Sequence, residues 1–241
     1  MTKTLSSTDP NLLAGVKRHT DMQRLWGGIM LALGMFMLVV NYADHPMGGV
    51  AFMALGALCL LSGDPFFLAA VAVALLLSIV PSISPNLVLF GPDPIRQIVA
   101  LSGFELVVLI LGKMIAAVMA LNFFLFYRFL YGTARAWVDE PDAPIIPEMI
   151  PNRTNWFARW VQWGGGLGLV VAGVGLGLSF VSPTAYATQI LAEFGGTVGG
   201  LAVGIGFGVA FSPTDNRATA LRGVALGALA YILAGAAIWM R

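Results

Sequence analysis

Lys113 and Glu105 are the residues whose type and placement first suggest chemistry. Both sit in one long apolar stretch, Ile98 to Tyr131, where charge is scarce. An ionisable group at the centre of a membrane helix costs about 2.5–3.5 kcal/mol by insertion measurements, so one retained there has a task. A lysine near mid-span can hold an anion, a proton or a partner carboxylate. The alternative is that it snorkels to the interface, or pairs with a backbone carbonyl or a neighbouring subunit's acid. The two residues are eight positions apart. On an α-helix that spacing gives about 80° of rotation and about 12 Å of rise, so they face similar directions without direct contact. A functional role for Lys113 predicts that Lys113→Leu damages function more than stability. Glu193, entering a later apolar segment, and Asp64, between two others, are weaker candidates.

No catalytic, metal-binding or cofactor-binding set accompanies them. His19 and His45 flank the same apolar run and are too few and too scattered for haem or zinc. The chain has no His-Glu-x-x-His, no Gly-x-Ser-x-Gly and no Gly-x-x-x-x-Gly-Lys-Ser/Thr. The Gly-x-Gly runs of GGGLGLVVAGVGLG have no strand before them, which a dinucleotide site requires. Asp139, Glu140 and Asp142 lie in a proline-bound loop, not a shared cleft. Cys59 is the one cysteine, so no intrachain disulfide can form. The sequence thus implies no enzyme and no cofactor, and it leaves room for a bound lipid.

The elements that must position Lys113 and Glu105 follow from composition. Of 241 residues, 58% are hydrophobic and 10% are charged, whereas soluble domains carry about 25% charge. Water cannot solvate such a chain in any fold of this size, and a bilayer can. The net charge of +1 gives no footprint for nucleic acid. The expected fold is all-α, a polytopic helical membrane protein with about seven spans. The candidates are Leu25–Ala43, Met47–Gly63, Pro65–Val80, Ile98–Tyr131, Val161–Val181, Ile190–Phe211 and Ala218–Met240. The second and third are short, separated only by Asp64, and form a tight hairpin or an incomplete pair.

Positive charge orients these spans. With the N-terminus in the cytoplasm, ten of the 13 Lys and Arg residues fall on the cytoplasmic side. Arg96 and Arg241 fall opposite, and Lys113 lies within a span. That is the positive-inside pattern, and it places the C-terminus on the far side. The organisation is then a cytoplasmic segment at 1–24, four spans within 25–131, a proline-rich cytoplasmic loop with an interfacial aromatic segment at 132–160, and three glycine-rich spans within 161–241. The multi-pass pattern is expected in a bacterial cytoplasmic (inner) membrane. In the aromatic segment, Trp156, Phe157, Trp160 and Trp163 interleave with Arg153 and Arg159. This is an anchoring belt that could also grip a headgroup.

Two phrases nearly repeat: GVGLGLSFVSPT from Gly173 and GIGFGVAFSPT from Gly204. Gly196, Gly200, Gly204 and Gly208 recur every four residues, as do Gly164 with Gly168, Gly173 with Gly177, and Gly223 with Gly227. Such ladders predict side-chain-free grooves for close helix contact, which lipid, lacking a hydrophobic drive, makes decisive. The Ser-Pro-Thr after each stops the helix. Little other polarity enters the spans, so the expected role is a non-catalytic structural or assembly subunit of a larger membrane complex. Its partners would be membrane lipids and other membrane subunits or further copies of itself, and Phe123, Phe124, Phe126 and Tyr127 could face such partners. The alternative is a small transporter or channel for an ion or small solute, working through Lys113 and Glu105.

Overall fold

A computed structural model of the chain describes residues 10–41, 46–62, 64, 66–83, 103–138, 154–212 and 216–240. Most of the proline-rich loop, the whole segment from 84 to 102, His45, and the Pro-Thr of the second repeated phrase lie outside the described residues. The chain is helical throughout what is described, with no strand. The helices are α1 (Pro10–Asn41), α2 (Pro46–Ser62), α3 (Phe66–Leu77), α4 (Gly103–Val138), α5 (Thr154–Ser179), α6 (Tyr186–Phe211) and α7 (Arg217–Trp239). One further turn, Val80–Ile83, continues α3 after a break. Six segments are long and apolar enough to cross a membrane: Asp21–Val40, Phe66–Ile83, Gly103–Phe126, Asn155–Ser179, Tyr186–Phe211 and Arg217–Trp239. They mark the chain as an integral membrane protein. At 17 residues α2 is shorter than any of these six segments, and below the roughly 20 a span needs.

Two expected boundaries shift. The polar start of the chain does not delay the first helix, because Pro10 opens α1, and a proline suits a first turn that has no use for its amide hydrogen. The aromatic segment is not part of a loop: Trp156, Phe157, Trp160 and Trp163 form the first turns of α5.

Burial separates inner from outer helices. In α3 with its continuation 67% of the span is buried, and in α6 61%, against 11% of the α4 span. α5, α6 and α7 pack pairwise on one another, α1 packs on α2, and α3 lies against both α6 and α4. The α3 sequence FFLAAVAVALLL is apolar on every side, as a helix surrounded by other helices must be.

Glycine decides how closely these helices meet, but not along the single grooves that four-residue spacing suggests. Each four-residue step turns the helix by about 40° beyond a full revolution, so a ladder precesses round the axis. A Cβ added to Gly196 would meet Ala234 of α7, whereas one added to Gly204 or Gly208 would meet Ala70 or Phe66 of α3. Gly195 abuts Ala172 of α5, and Gly199 abuts the Gly227 carbonyl of α7. Gly200 is buried in the same helix. α6 is therefore a small-residue hub for three neighbours. On α5 the expected contact positions are corrected: a Cβ at Gly164, Gly173 or Gly177 would meet nothing within 4 Å. Gly168 makes the close contact expected of it, and Gly165 and Gly175 make the others, against α7 and α6.

A second glycine seam, unforeseen in the sequence, joins α1 to α2. Gly34 would place a Cβ 2.6 Å from the Met53 amide nitrogen, and Gly49 one 2.7 Å from that of Leu38. Gly27 and Gly56 face each other in the same way, two turns along. Gly34→Ala is expected to destabilise by about 1–3 kcal/mol through overpacking against backbone that cannot yield. Gly28→Ala, whose Cβ meets nothing within 4 Å, is expected to be neutral or slightly stabilising. Unfolding of both variants in mixed detergent micelles checks the contrast.

Candidate functional site

Lys113 meets a broken helix. Pro81 has no amide hydrogen and disfavours helical geometry in the residue before it. Around it the ladder shortens: the amide of Ile79 donates to Leu76 O at 3.1 Å, and that of Ser82 to Ile79 O at 3.0 Å. In an unbroken α-helix the Ser82 amide would serve the Ser78 carbonyl. That carbonyl, released, accepts instead from Lys113 Nζ at 2.8 Å. Lys113 Nζ also donates to Ser82 Oγ at 2.8 Å, and the Ser82 hydroxyl donates to Ser78 O at 3.2 Å. The three groups close a triangle. The ammonium also sits at the C-terminal, partially negative end of α3, where a cation is favoured. Of the readings open to Lys113, pairing with a carbonyl is the one its hydrogen bonds display.

Glu105 lies exposed in the first turn of α4, while Lys113 is half-buried about two helical turns further along. The acid that geometry brings to the level of Lys113's partners is Glu193. Gly204 abuts Ala70 and Gly208 abuts Phe66, so α6 and α3 run antiparallel in fixed register. Glu193 precedes Gly204 by eleven residues, three turns to within about 20°. It therefore shares the α3-facing side of α6, level with Pro81 and Ser82. Glu193 is 1% exposed and accepts a hydrogen bond from Gln189 Nε2 at 2.9 Å. Thr197, one turn on, is buried, and its hydroxyl has no hydrogen-bond partner among the described residues.

A second polar cluster stands at the opposite end of α3. Gln23 of α1 is 2% exposed and donates from Nε2 to the carbonyls of Cys59 at 3.0 Å and Asp64 at 3.2 Å. Ser62 Oγ donates to Leu58 O at 2.6 Å and accepts from the Asp64 amide at 3.3 Å. Asp64 itself is wholly buried. This corner turns α2 into α3, and Gln23 satisfies the carbonyls the turn sets free. Gln23 carries no charge and sits just before the first apolar run, so only its later burial marks it.

The aromatic positions on α4 divide. Phe124 is fully buried rather than turned outward, whereas Phe126 is 48% exposed; the Tyr127 side chain lies outside what is described. Among the described residues no group of three or more His, Cys, Asp or Glu gathers where a metal could be held. Comparison with known protein families, with curated proteins and with solved structures gives no match.

The triangle gives Lys113→Leu a structural cost. The variant leaves the Ser78 carbonyl served only by the Ser82 hydroxyl, and stability is expected to fall by about 1–3 kcal/mol, the penalty for an undersatisfied buried group. Ser82→Ala, which leaves the Lys113–Ser78 bond in place, is expected to cost less than Lys113→Leu. Thermal unfolding in detergent ranks the two.

Proposed function

We propose that this chain is a non-catalytic subunit of a larger membrane-embedded complex, with its N-terminus in the cytoplasm and its C-terminus on the opposite side. The observation that carries the reading is α4. It is long and apolar, only 11% of its span is buried, and it packs mainly against α3. Val107, Val108, Leu111, Ile115, Val118 and Met119 are each half-exposed or more, so one continuous flank is open to a helix of another chain. Lys113 supports the same reading, because its ammonium is engaged in holding α3 together. On this reading the short α2 crosses together with the six longer spans, and seven alternating crossings put the termini on opposite sides. Arg24, Arg159 and Arg217 gather at one end of the bundle, which the positive-inside tendency assigns to the cytoplasm.

A second reading, a small transporter or channel, is favoured by one observation. A helix interrupted beside Lys113, with buried Glu193 on a neighbouring helix, is the kind of place where transporters bind solutes.

Purification from native membranes in mild detergent, at native expression, separates the two. The subunit reading expects stoichiometric co-purifying membrane proteins that are lost when Val108, Ile115 and Met119 are each replaced by Trp. A lone monomer whose reconstituted vesicles show solute-dependent flux would overturn it. Reporter fusions on the two termini are expected in different compartments, and the same compartment for both defeats the assigned topology.

A further inference from the structure

A groove of about 310 Å³ opens between α2, α5 and α6. Its volume lies at the low end of small-molecule sites, and its wall is almost wholly apolar: Leu58 from α2, Val198, Leu201 and Ile205 from α6, and Trp156 and Trp160 from α5. Trp156 and Trp160 are 55% and 58% exposed, so the groove is open to the flank of the bundle, where the bilayer lies. The ring wall is stiff. Trp156 and Trp160 have centroids 5.3 Å apart, and Trp156 meets Phe157 edge-on at 4.6 Å. Phe157 in turn packs on Phe66 and Phe67 of α3.

The charge beside it is mainly positive. Trp156, Arg159, Trp160 and Trp163 follow helical spacing, so they share one face of α5 within about 100°, and all four are exposed. The same end of the bundle carries further exposed arginines. Arg24 follows Gln23, which binds the Cys59 and Asp64 carbonyls. Arg217 donates to Ala210 O at 2.9 Å. Arg18 lies on α1, and Arg222 precedes Gly223, which abuts Val161. The described acids at that end are Asp21, exposed, and Asp64, buried.

We propose that the groove is a binding site for an anionic glycerophospholipid. One acyl chain lies along Leu58, Val198, Leu201 and Ile205, the glycerol region rests on the Trp156 and Trp160 indoles, and the phosphate is held near Arg159. Three features specify this occupant: an apolar channel in a membrane flank, aromatic rings suited to the interfacial layer, and a guanidinium, which pairs with phosphate. The groove also falls on the seam between the α1–α2 pair and the α5–α7 cluster, so the lipid would fill a join that helix contact leaves open.

Gly164 supplies a test. It lines the groove, and a Cβ there would meet nothing within 4 Å, so Gly164→Leu plugs the channel without displacing backbone. The full chain in nonionic detergent is offered equal amounts of phosphatidylglycerol and phosphatidylcholine, and retained lipid is counted by native mass spectrometry. The wild type is expected to retain one phosphatidylglycerol in preference to phosphatidylcholine. Arg159→Gln is expected to lose about fivefold of that preference, the factor one basic side chain contributes beside anionic lipid. Gly164→Leu is expected to lose retention of both lipids. Equal retention of the two lipids by the wild type, or undiminished phosphatidylglycerol on a folded Gly164→Leu, overturns the site. Should Gly164→Leu not fold, wild-type tryptophan fluorescence in vesicles decides. Phosphatidylglycerol with brominated chains is expected to quench more than the matching phosphatidylcholine at equal mole fraction, and equal quenching overturns the proposal.

Discussion

Lipid offers these helices no hydrophobic reason to meet, so their association rests on how closely backbone can approach backbone. Every strong helix pair in the bundle solves that with glycine or alanine. Gly27, Gly34, Gly49 and Gly56 let α1 and α2 touch main chain to main chain, and Gly165, Gly168, Gly195, Gly199, Gly223 and Gly227 do the same among α5, α6 and α7. α3 is held between such units through Gly204 and Gly208, which admit Ala70 and Phe66. A side chain at most of these positions would lie within about 3 Å of main chain in the neighbouring helix.

The same solvent imposes a second constraint: each backbone carbonyl in its interior needs a donor from within the protein. An unbroken helix meets this by itself. The two places where α3 begins and breaks do not, and both recruit a side chain from another helix. At the start, Gln23 of α1 binds the Cys59 and Asp64 carbonyls. At the break caused by Pro81, Lys113 of α4 binds Ser78. Gln23 and Lys113 are thus placed by the irregularities of α3, and each also ties an outer helix to the central one. α4, which lacks the glycine contacts of the others, gains in Lys113 a directed bond to the core in place of a close backbone seam.

Much of the architecture was legible in the sequence. Apolar runs near 20 residues long have few alternatives to a membrane helix, so spans such as Gly103–Phe126 and Tyr186–Phe211 follow almost directly from composition. The proline stops were legible too: Ser212, before Pro213, is extended at φ −82° and ψ 160°, as steric conflict with the next ring requires. What spacing could not give was azimuth. A four-residue glycine ladder looks like a groove on paper, but precession spreads it over three neighbours, so Gly173 and Gly177 fell outside the contacts while Gly175 fell within. The α1–α2 seam went unread because its glycines are seven apart, two turns rather than one. Gln23 was hidden because an amide has no charge to make its burial look costly; Glu193 stood out by its charge, but its level along α3 depends on an antiparallel register that no single helix encodes.

Lys113 shows how the site and the fold can compete for one residue. A lysine whose three donors were all needed by the solute could not also close a broken helix, and here at least two go to Ser78 and Ser82. Any ligand that drew Lys113 away would expose the Ser78 carbonyl at the end of α3, where its partial negative charge would favour a cation in the ammonium's place. In the structure Lys113 keeps both bonds, to Ser78 O and Ser82 Oγ. The exposed flank of α4, Val107, Val108, Leu111, Ile115, Val118 and Met119, lies on the far side of the helix from this bond, so the bond to the core and the open surface occupy opposite faces.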